Sequence, residues 1–217
     1  MKQERAAQTR KMLIRAAGEE FAHGGFDPVS LNRISKRAGV SYGGLHHHFT
    51  DKRDLARAVV SEATAVLLGE VCAAPDPGLG GDRPTALRRL IEATYRFVAL
   101  LDRDPVFKAG FVLTLDGSVP DLGESLREQW QHWVEEALVD AERARELGEG
   151  IHGADVATAV VAATVGFEVL AVRDRTWLKP DVVARFWRLI LPRVASPATA
   201  ASLDADGGPP LGFEPAG

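Results

Sequence analysis

The chain has 217 residues, of which 46% are hydrophobic and 26% are charged, and its formal net charge is −4. A chain of this length can bury a substantial core, and its acidic balance excludes a protein that coats nucleic acid with its whole surface. The single cysteine, Cys72, excludes an intramolecular disulfide and a cysteine-rich metal cluster, and the lack of a charged-then-apolar leader predicts a cytoplasmic location.

The charges are unevenly distributed along the chain. Residues 1–60 contain 11 lysines and arginines and 6 aspartates and glutamates, so this part carries +5 and the remainder carries −9. A basic N-terminal module on an acidic body is typical of a regulator that touches DNA with one end only.

Helical periodicity begins with a first helix over Glu4–Ala22, and residues 30–49 follow with the pattern of a helix-turn-helix. Gly39 supplies the left-handed residue that ends one short helix, and Ser41 can cap the next one. Such a tight turn lets the first helix cross a DNA backbone while the second enters the major groove, so we predict DNA binding. The residues left on the outward face of the second helix are Tyr42, Gly43, His46 and His47.

We expect these four residues to approach the bases, while Ser41, Lys52 and the basic residues of the first helix hold phosphates. Ser30, before the first helix of the motif, completes the predicted DNA-contacting set. The histidine triplet at residues 46–48 suggests a metal site, but consecutive helical residues point about 100° apart and cannot all face one ion. We therefore predict neither a metal nor any other cofactor.

The helical period continues through the rest of the chain without a strand pattern, so we predict an all-α fold. Residues 73–84 are rich in glycine and proline and predict a flexible connection. From residue 195 onward alanine, glycine, proline and serine dominate, which predicts a disordered tail. The remaining predicted helices are Asp51–Cys72 with Thr50 as its N-cap, Thr85–Asp102, Pro105–Leu115, about Leu122–Leu147, Ala154–Arg173 and Pro180–Leu191.

Two of these helices are too apolar for a simple surface position. Residues 156–172 are apolar nearly all round, but the run is interrupted by polar residues and is too short for a membrane span, so we predict a buried helix and no membrane contact. Residues 186–191 form a second dense apolar cluster. An intramolecular core could cover both, and a two-fold interface with a second copy would do so equally well; we favour a homodimer.

The sequence carries no phosphate-binding glycine loop, no Gly-x-Ser-x-Gly and no metal-spaced His/Glu pair, so we do not predict an enzyme. Trp130 and Trp133 share one broad face of a predicted helix. Ordinary core packing is the simplest interpretation of such a stripe.

The spacing Ser30…Ile34…Ala38-Gly39-Val40-Ser41…Gly43…Leu45…His48-Phe49…Lys52…Leu55 resembles the TetR family of transcriptional regulators. In the body, Asp104-Pro105-Val106-Phe107-Lys108-Ala109-Gly110, with Leu113 and the later Trp130, is similar to the γ-butyrolactone autoregulator receptors of actinomycetes and their pseudo-receptor relatives. The chain departs from the TetR pattern in the recognition helix. Tyr42 and His46 stand where the family often has lysine and tyrosine, which implies a different operator.

The resemblance implies a TetR-like fold with three parts. These are a helix-turn-helix domain over residues 1–50, a helical ligand-binding and dimerisation domain over residues 51–194, and the tail from 195 to 217. It also implies a homodimeric repressor that binds a pseudo-palindromic operator on double-stranded DNA and is released by a lactone signal, an antibiotic or an antibiotic precursor. A TetR-like regulator of an unrelated ligand class and an architectural DNA-binding protein without an effector are the alternatives.

By the same resemblance, Trp130 lies over the ring of a small apolar effector. An aromatic-lined cavity suits a lactone with an alkyl chain and needs only one or two polar groups. The expected wall residues are Trp133, Phe107, Phe111, Phe97 and Phe167, and the expected polar groups are Thr94, Thr114 and Gln129.

Overall fold

The computed structural model describes residues 2–73, 84–115, 119 and 124–205. These residues form α-helices joined by short turns, and the only β-type pairing among them is an isolated bridge between Leu147 and Ala195. The all-α prediction is confirmed. The helices are α1 (Lys2–Gly24), α2 (Leu31–Ala38), α3 (Tyr42–His48), α4 (Lys52–Val66), α5 (Ala86–Arg103), α6 (Pro105–Leu115), α7 (Leu126–Arg143), α8 (Gly153–Leu170), α9 (Pro180–Val194) and α10 (Pro197–Ala205).

The N-cap of α4 differs from the prediction. Asp51, not Thr50, caps the helix, and its carboxylate accepts a hydrogen bond of 2.8 Å from the Asp54 amide. The Asp54 carboxylate in turn accepts a bond of 3.0 Å from the Thr50 amide. This reciprocal pair satisfies two amides that the helix start would otherwise leave without partners.

Other helix ends also differ from the sequence pattern. The last turn predicted for α4 is a π-helix over Leu67–Val71. Helix α7 stops at Arg143, four residues before the predicted end, because Arg145 adopts a left-handed φ of 57°. Helix α8 ends at Leu170, before the predicted end at Arg173, and a 3₁₀ turn follows at Arg175–Leu178.

Helix α10 lies within the tail that we predicted as disordered, so the prediction is wrong for that stretch. Its start is held by the Ser196 amide, which donates to the Glu146 carbonyl, and by the buried Thr199. The alanine-rich composition that suggested disorder also has high helix propensity. The rest of the predicted tail and most of the predicted connection after Ala73 lie outside the described residues.

The chain divides into two compact units. One contains residues 1–70 and 100–129, and the other contains residues 71–99 and 130–217. The predicted boundaries at residues 50 and 194 divide the chain by function rather than by compactness, and they stay predictions.

Helix α6 packs closely against α1 and α4 in the first unit. A Cβ added to Gly18 of α1 would lie 2.9 Å from the Val106 Cα atom on α6. A Cβ added to Gly110 of α6 would lie 2.6 Å from the Ala63 Cβ atom on α4. Only glycine permits these approaches, so both positions require the absence of a side chain.

The second unit relies on a buried carboxylate. Glu146 accepts hydrogen bonds from the Ala86 and Leu87 amides at 2.9 and 2.8 Å, which supplies partners for the first turn of α5. The charge of Glu146 is therefore placed where the positive end of the helix dipole can stabilise it.

Candidate DNA interface and ligand-binding body

Two caps and one left-handed glycine set the geometry of α2, the turn and α3. The Ser30 hydroxyl accepts from the Arg33 amide at 3.2 Å, and the Ser41 hydroxyl accepts from the Gly44 amide at 3.1 Å. Gly39 ends α2 with a φ of 66°. Each serine oxygen is thus used as a cap acceptor, while its O–H can still donate to a phosphate oxygen.

All four residues predicted to approach bases are exposed on α3. The Tyr42 ring, 52% exposed, meets the His46 ring edge-on with 4.6 Å between centroids. Gly43 has open space where a Cβ would be. Exposed polar rings beside a bare backbone are suited to reading base edges in a major groove, and that role stays a prediction.

Lys52 has a different environment from the one expected of a phosphate contact. Its half-buried ammonium donates to the carbonyls of Phe26, Asp27 and Val29 at 2.9, 3.1 and 3.0 Å. It also lies 4.1 Å from the centroid of the Phe26 ring. Because an ammonium has three N–H donors, all of its capacity is used by the loop before α2. In this structure Lys52 ties that loop to the start of α4.

The sequence analysis missed a buried ionic cluster between α1 and α2. The Glu20 carboxylate, with 2% of its side chain exposed, pairs with the guanidinium groups of Arg33 and Arg37, which are 63% and 46% exposed. Arg37 also donates to Glu19 at 3.1 Å. The hydrogen bond to Glu20 is the main reason that the pKa of Arg37 is raised.

One signal in the sequence could have revealed this cluster. Glu20 falls at helical spacing from Leu13 and Ala17, both of which are fully buried on the inner face of α1. A carboxylate on such a face requires partners, because an unpaired buried charge is strongly unfavourable. Arg33 and Arg37 are one helical turn apart on α2 and can supply them together.

In the second unit, Trp130 lies at the centre of an aromatic stack. It is fully buried and packs against Phe97 and Trp133, with ring centroids 4.7 and 5.5 Å apart. Its indole N–H donates to the Thr164 hydroxyl on α8 at 2.9 Å. That hydroxyl donates to the Val160 carbonyl, so the polar atoms are satisfied without a ligand.

A second tryptophan–threonine pair lies in the same unit. The Trp187 indole on α9 donates to the Thr94 hydroxyl on α5 at 2.7 Å, and that hydroxyl donates to the Ile91 carbonyl. Sequence reasoning proposed Thr94 as a polar group for a ligand but did not pair it with Trp187. Phe167 stacks on Trp177, with 6.4 Å between ring centroids.

The other predicted pocket residues belong to the first unit. Phe107 and Phe111 are fully buried and meet edge-to-face at 5.2 Å. The Thr114 hydroxyl donates to the Gly110 carbonyl, and the Gln129 side chain donates to the Glu124 carbonyl. Each compact unit therefore holds part of the predicted set, and the assignment of these residues to one ligand site stays a prediction.

Helices α8 and α9 leave large apolar side chains exposed. Leu189 on α9 is 77% exposed, and Val169 and Leu170 at the end of α8 are 53% and 45% exposed. Helix α8 is long and apolar enough to cross a membrane, yet only 33% of its residues are buried. The prediction that α8 is buried is thus correct for one of its faces only. The other face is either in contact with solvent or packed against another protein surface.

Cys72 is not suited to redox sensing. Burial raises the pKa of its thiol to about 12, and the nearby charge of Arg96 opposes the shift only in part. Because the thiolate is the reactive form, the raised pKa lowers the reactivity of this thiol at neutral pH.

Comparison with known proteins bears on both regions. The family described as bacterial regulatory proteins, TetR family, matches residues 13–59. The A-factor receptor protein of Streptomyces griseus is 28% identical over 211 residues, which cover 95% of this chain and 71% of that protein. The regulator UidR of Escherichia coli is 38% identical, but over 58 residues only, or 27% of this chain and 30% of its own length.

Solved structures match over a similar span. A crystal structure of a γ-butyrolactone receptor, an ArpA-like protein, has 27% identity and a TM-score of 0.74, and the match covers 91% of this chain and 94% of that one. CprB from Streptomyces coelicolor, in complex with its operator, has 29% identity and a TM-score of 0.72, covering 93% and 97%.

The ionic cluster at Glu20 generates a prediction about stability. Replacing both Arg33 and Arg37 with alanine leaves the buried carboxylate without a countercharge. Replacing Glu20 with leucine removes the buried charge and leaves two arginines that water can solvate. We expect the double variant to lose at least about twice as much free energy of unfolding as Glu20→Leu in urea titrations.

Arg15→Ala is the control, because Arg15 is 74% exposed and pairs with Glu19 across 3.6 Å at the surface. Such a pair contributes little to stability, so this variant should unfold close to the native chain. A larger loss in Glu20→Leu than in the double arginine variant would contradict our account of the cluster.

Proposed function

Because the chain belongs to the TetR family of bacterial transcriptional regulators, we propose that it is a repressor which a small apolar effector releases from DNA. It binds a pseudo-palindromic operator as a homodimer, in the cytoplasm, where the DNA is. The effector is a γ-butyrolactone-like signal, or an antibiotic or its precursor.

The main support is the extent of the likeness. Relatives such as UidR match this chain only around the helix-turn-helix, whereas the A-factor receptor matches 95% of it. The likeness to butyrolactone receptors therefore includes the body as well as the DNA-binding end. A purely architectural DNA-binding protein would have no need of such a body.

The proposed DNA contact uses the exposed face of α3. Tyr42, Gly43, His46 and His47 approach base edges, while the capped serines and the basic residues of α1 approach phosphates. The net charge of +5 in residues 1–60 supports this orientation. Lys52 acts indirectly, since its ammonium holds the loop that precedes α2.

The proposed effector contact centres on Trp130. Trp130 is fully buried in its stack with Phe97 and Trp133, so an effector would contact its ring by displacing part of that stack. The threonine that holds its indole nitrogen fixes the ring orientation. The other predicted wall and polar residues stay candidates for effector contact. Effector binding favours a conformer that no longer fits the two half-sites, and a coupling of about 1–3 kcal/mol changes operator affinity roughly 5- to 150-fold.

The proposed dimer interface is formed by α8 and α9. Their exposed apolar side chains are the kind that a second copy covers in a two-fold interface. A dimer also presents two recognition helices, as a pseudo-palindromic operator requires.

The DNA assignment is tested with labelled duplexes from the promoter region of the protein's own gene. Tyr42→Ala and His47→Ala should each change the preference among single-base operator variants, because base contacts contribute about 1–3 kcal/mol of discrimination. Fluorescence anisotropy at several salt concentrations gives affinity, preference and salt slope together.

Lys52→Met is the matched comparison. It removes an ammonium that is bonded to three carbonyls, so we expect lower thermal stability but an unchanged base preference and salt slope. If Tyr42→Ala and His47→Ala keep the native preference, base reading lies elsewhere. If Lys52→Met flattens the salt slope, the lysine contacts phosphate after all.

The effector site is tested with a conservative pair of variants. Trp130→Phe and Trp187→Phe each remove one indole hydrogen bond to a threonine and should each cost about 1–3 kcal/mol of stability. We expect only Trp130→Phe to raise, at least about tenfold, the concentration of an alkyl-substituted γ-butyrolactone that releases the operator. Equal responses in both variants would remove Trp130 from the site.

Controls with the native chain separate the alternatives. Release by a chemically unrelated metabolite in culture extract, but not by the lactone, would favour a TetR-like regulator of another ligand class. Binding without sequence preference and without any response to extract would favour the architectural alternative.

The dimer is tested at Leu189. Because this side chain is exposed in the single chain, its replacement should not disturb the folding of that chain. Leu189→Arg places a charge where a second copy should pack, so we expect a folded monomer by light scattering and weaker operator binding. Val165→Arg, at a half-buried position on α8, should act in the same direction. Glu136→Arg, on the exposed face of α7, is the control. A native dimer in both variants would place the interface on other helices.

A further inference from the structure

We propose that the first unit contains a second effector site, which binds an amphipathic organic anion such as a medium-chain carboxylate. The site is a cavity of about 400 Å³. It lies between α1, α4 and the beginning of α6, and all of its lining residues belong to the first unit. Cavities of 300–1,000 Å³ are the size class that holds small ligands.

The floor of this cavity is apolar. Ile14 of α1 and Val106 of α6 are buried, and Val66 of α4 is half-buried beside them. Ala7 and Pro105 extend the same surface. A strongly hydrated ion such as inorganic phosphate gains nothing from such a floor, whereas an alkyl chain does.

The rim of the cavity is basic. Among the described residues, Arg15 and Arg103 form surface ion pairs, with Glu19 at 3.6 Å and Glu70 at 3.7 Å. Such pairs are weak, so both guanidinium groups can turn toward an incoming anion. Lys11 has no ion pair in the part of the chain that the structure describes. Arg10 completes the rim, with its guanidinium carbon 5.3 Å from the centroid of the Phe49 ring.

Two carboxylates also line the cavity and oppose the basic rim in part. The Asp104 carboxylate accepts hydrogen bonds from the Val106 and Phe107 amides at 2.8 and 3.1 Å. Its negative charge therefore lies at the start of α6, where the helix dipole stabilises it. Glu62 is the other. The lining therefore carries four cations and two carboxylates, an excess of two positive charges around an apolar floor, which matches a carboxylate head on an alkyl chain.

An occupant of this cavity would affect DNA binding through the helices that form it. Val106 borders the cavity and also lies against Gly18, where α1 and α6 approach closely. The same α1 carries Glu20, which holds α2 of the helix-turn-helix. A ligand that displaces Val106 therefore shifts the packing of α1, and with it the presentation of α2 and α3.

The experiment titrates the full chain, without DNA, with octanoate, 1-octanol and inorganic phosphate in a calorimeter. We expect saturable binding of octanoate and binding at least about tenfold weaker for the other two. Arg103→Glu should weaken octanoate binding at least about tenfold, and Val66→Trp, which fills the cavity, should abolish it. Arg143→Glu, at a 76% exposed position on α7, should bind octanoate like the native chain.

Octanoate should also change the operator affinity of the native chain but not that of Arg103→Glu. Unchanged octanoate binding in Arg103→Glu would overturn the proposal, and so would equal binding of 1-octanol or the absence of binding. Octanoate binding without any change in operator affinity would overturn the effector role. Arg103 is exposed, so that variant decides the matter even if Val66→Trp does not fold. Because the titration contains neither DNA nor lactone, its failure is independent of the proposed repressor function.

Discussion

The close approach of α6 to α1 and α4 is the constraint on which the first unit depends. At Gly18 and Gly110 the helices are so near that a single methyl group would overlap a neighbouring backbone or side chain. Packing of this kind has few alternative arrangements, and a small displacement of α6 cannot be absorbed locally. The helix that begins at Pro105 is therefore mechanically joined to the two helices that flank the helix-turn-helix in the chain.

Buried polar groups then fix the positions that apolar packing leaves undetermined. Glu20 holds two arginines of α2, and Lys52 holds three carbonyls of the preceding loop. In the second unit, Glu146 satisfies the start of α5, and two threonines orient two buried tryptophans. In the described part of the chain, no buried side-chain nitrogen or oxygen lacks a partner. Directional bonds of this kind allow one arrangement where apolar contacts alone would allow several.

The exposed faces of the helices differ in polarity. Helix α3 presents polar rings and a glycine to solvent, which suits the base reading that we propose, whereas α8 and α9 present aliphatic side chains, which suit the dimer interface that we propose. The match to the TetR family and the likeness to the A-factor receptor support a DNA-binding transcriptional regulator. The residues that we predict to bind a ligand are divided between the two compact units.

The sequence by itself determined the helical class, the helix-turn-helix and the exposed face of α3. These follow from local periodicity, from Gly39 and from serine caps, which act within a few residues of the chain. Only the tertiary structure decided the roles of Glu20, Lys52 and Thr164, because each bonds to groups 13 to 34 residues away in the chain. The structure also showed that Asp51, and not Thr50, caps α4, and that α8 is covered on one face only. A pattern along the chain reports which residues prefer burial, but the partner of a buried charge or indole is chosen by the packing of distant helices.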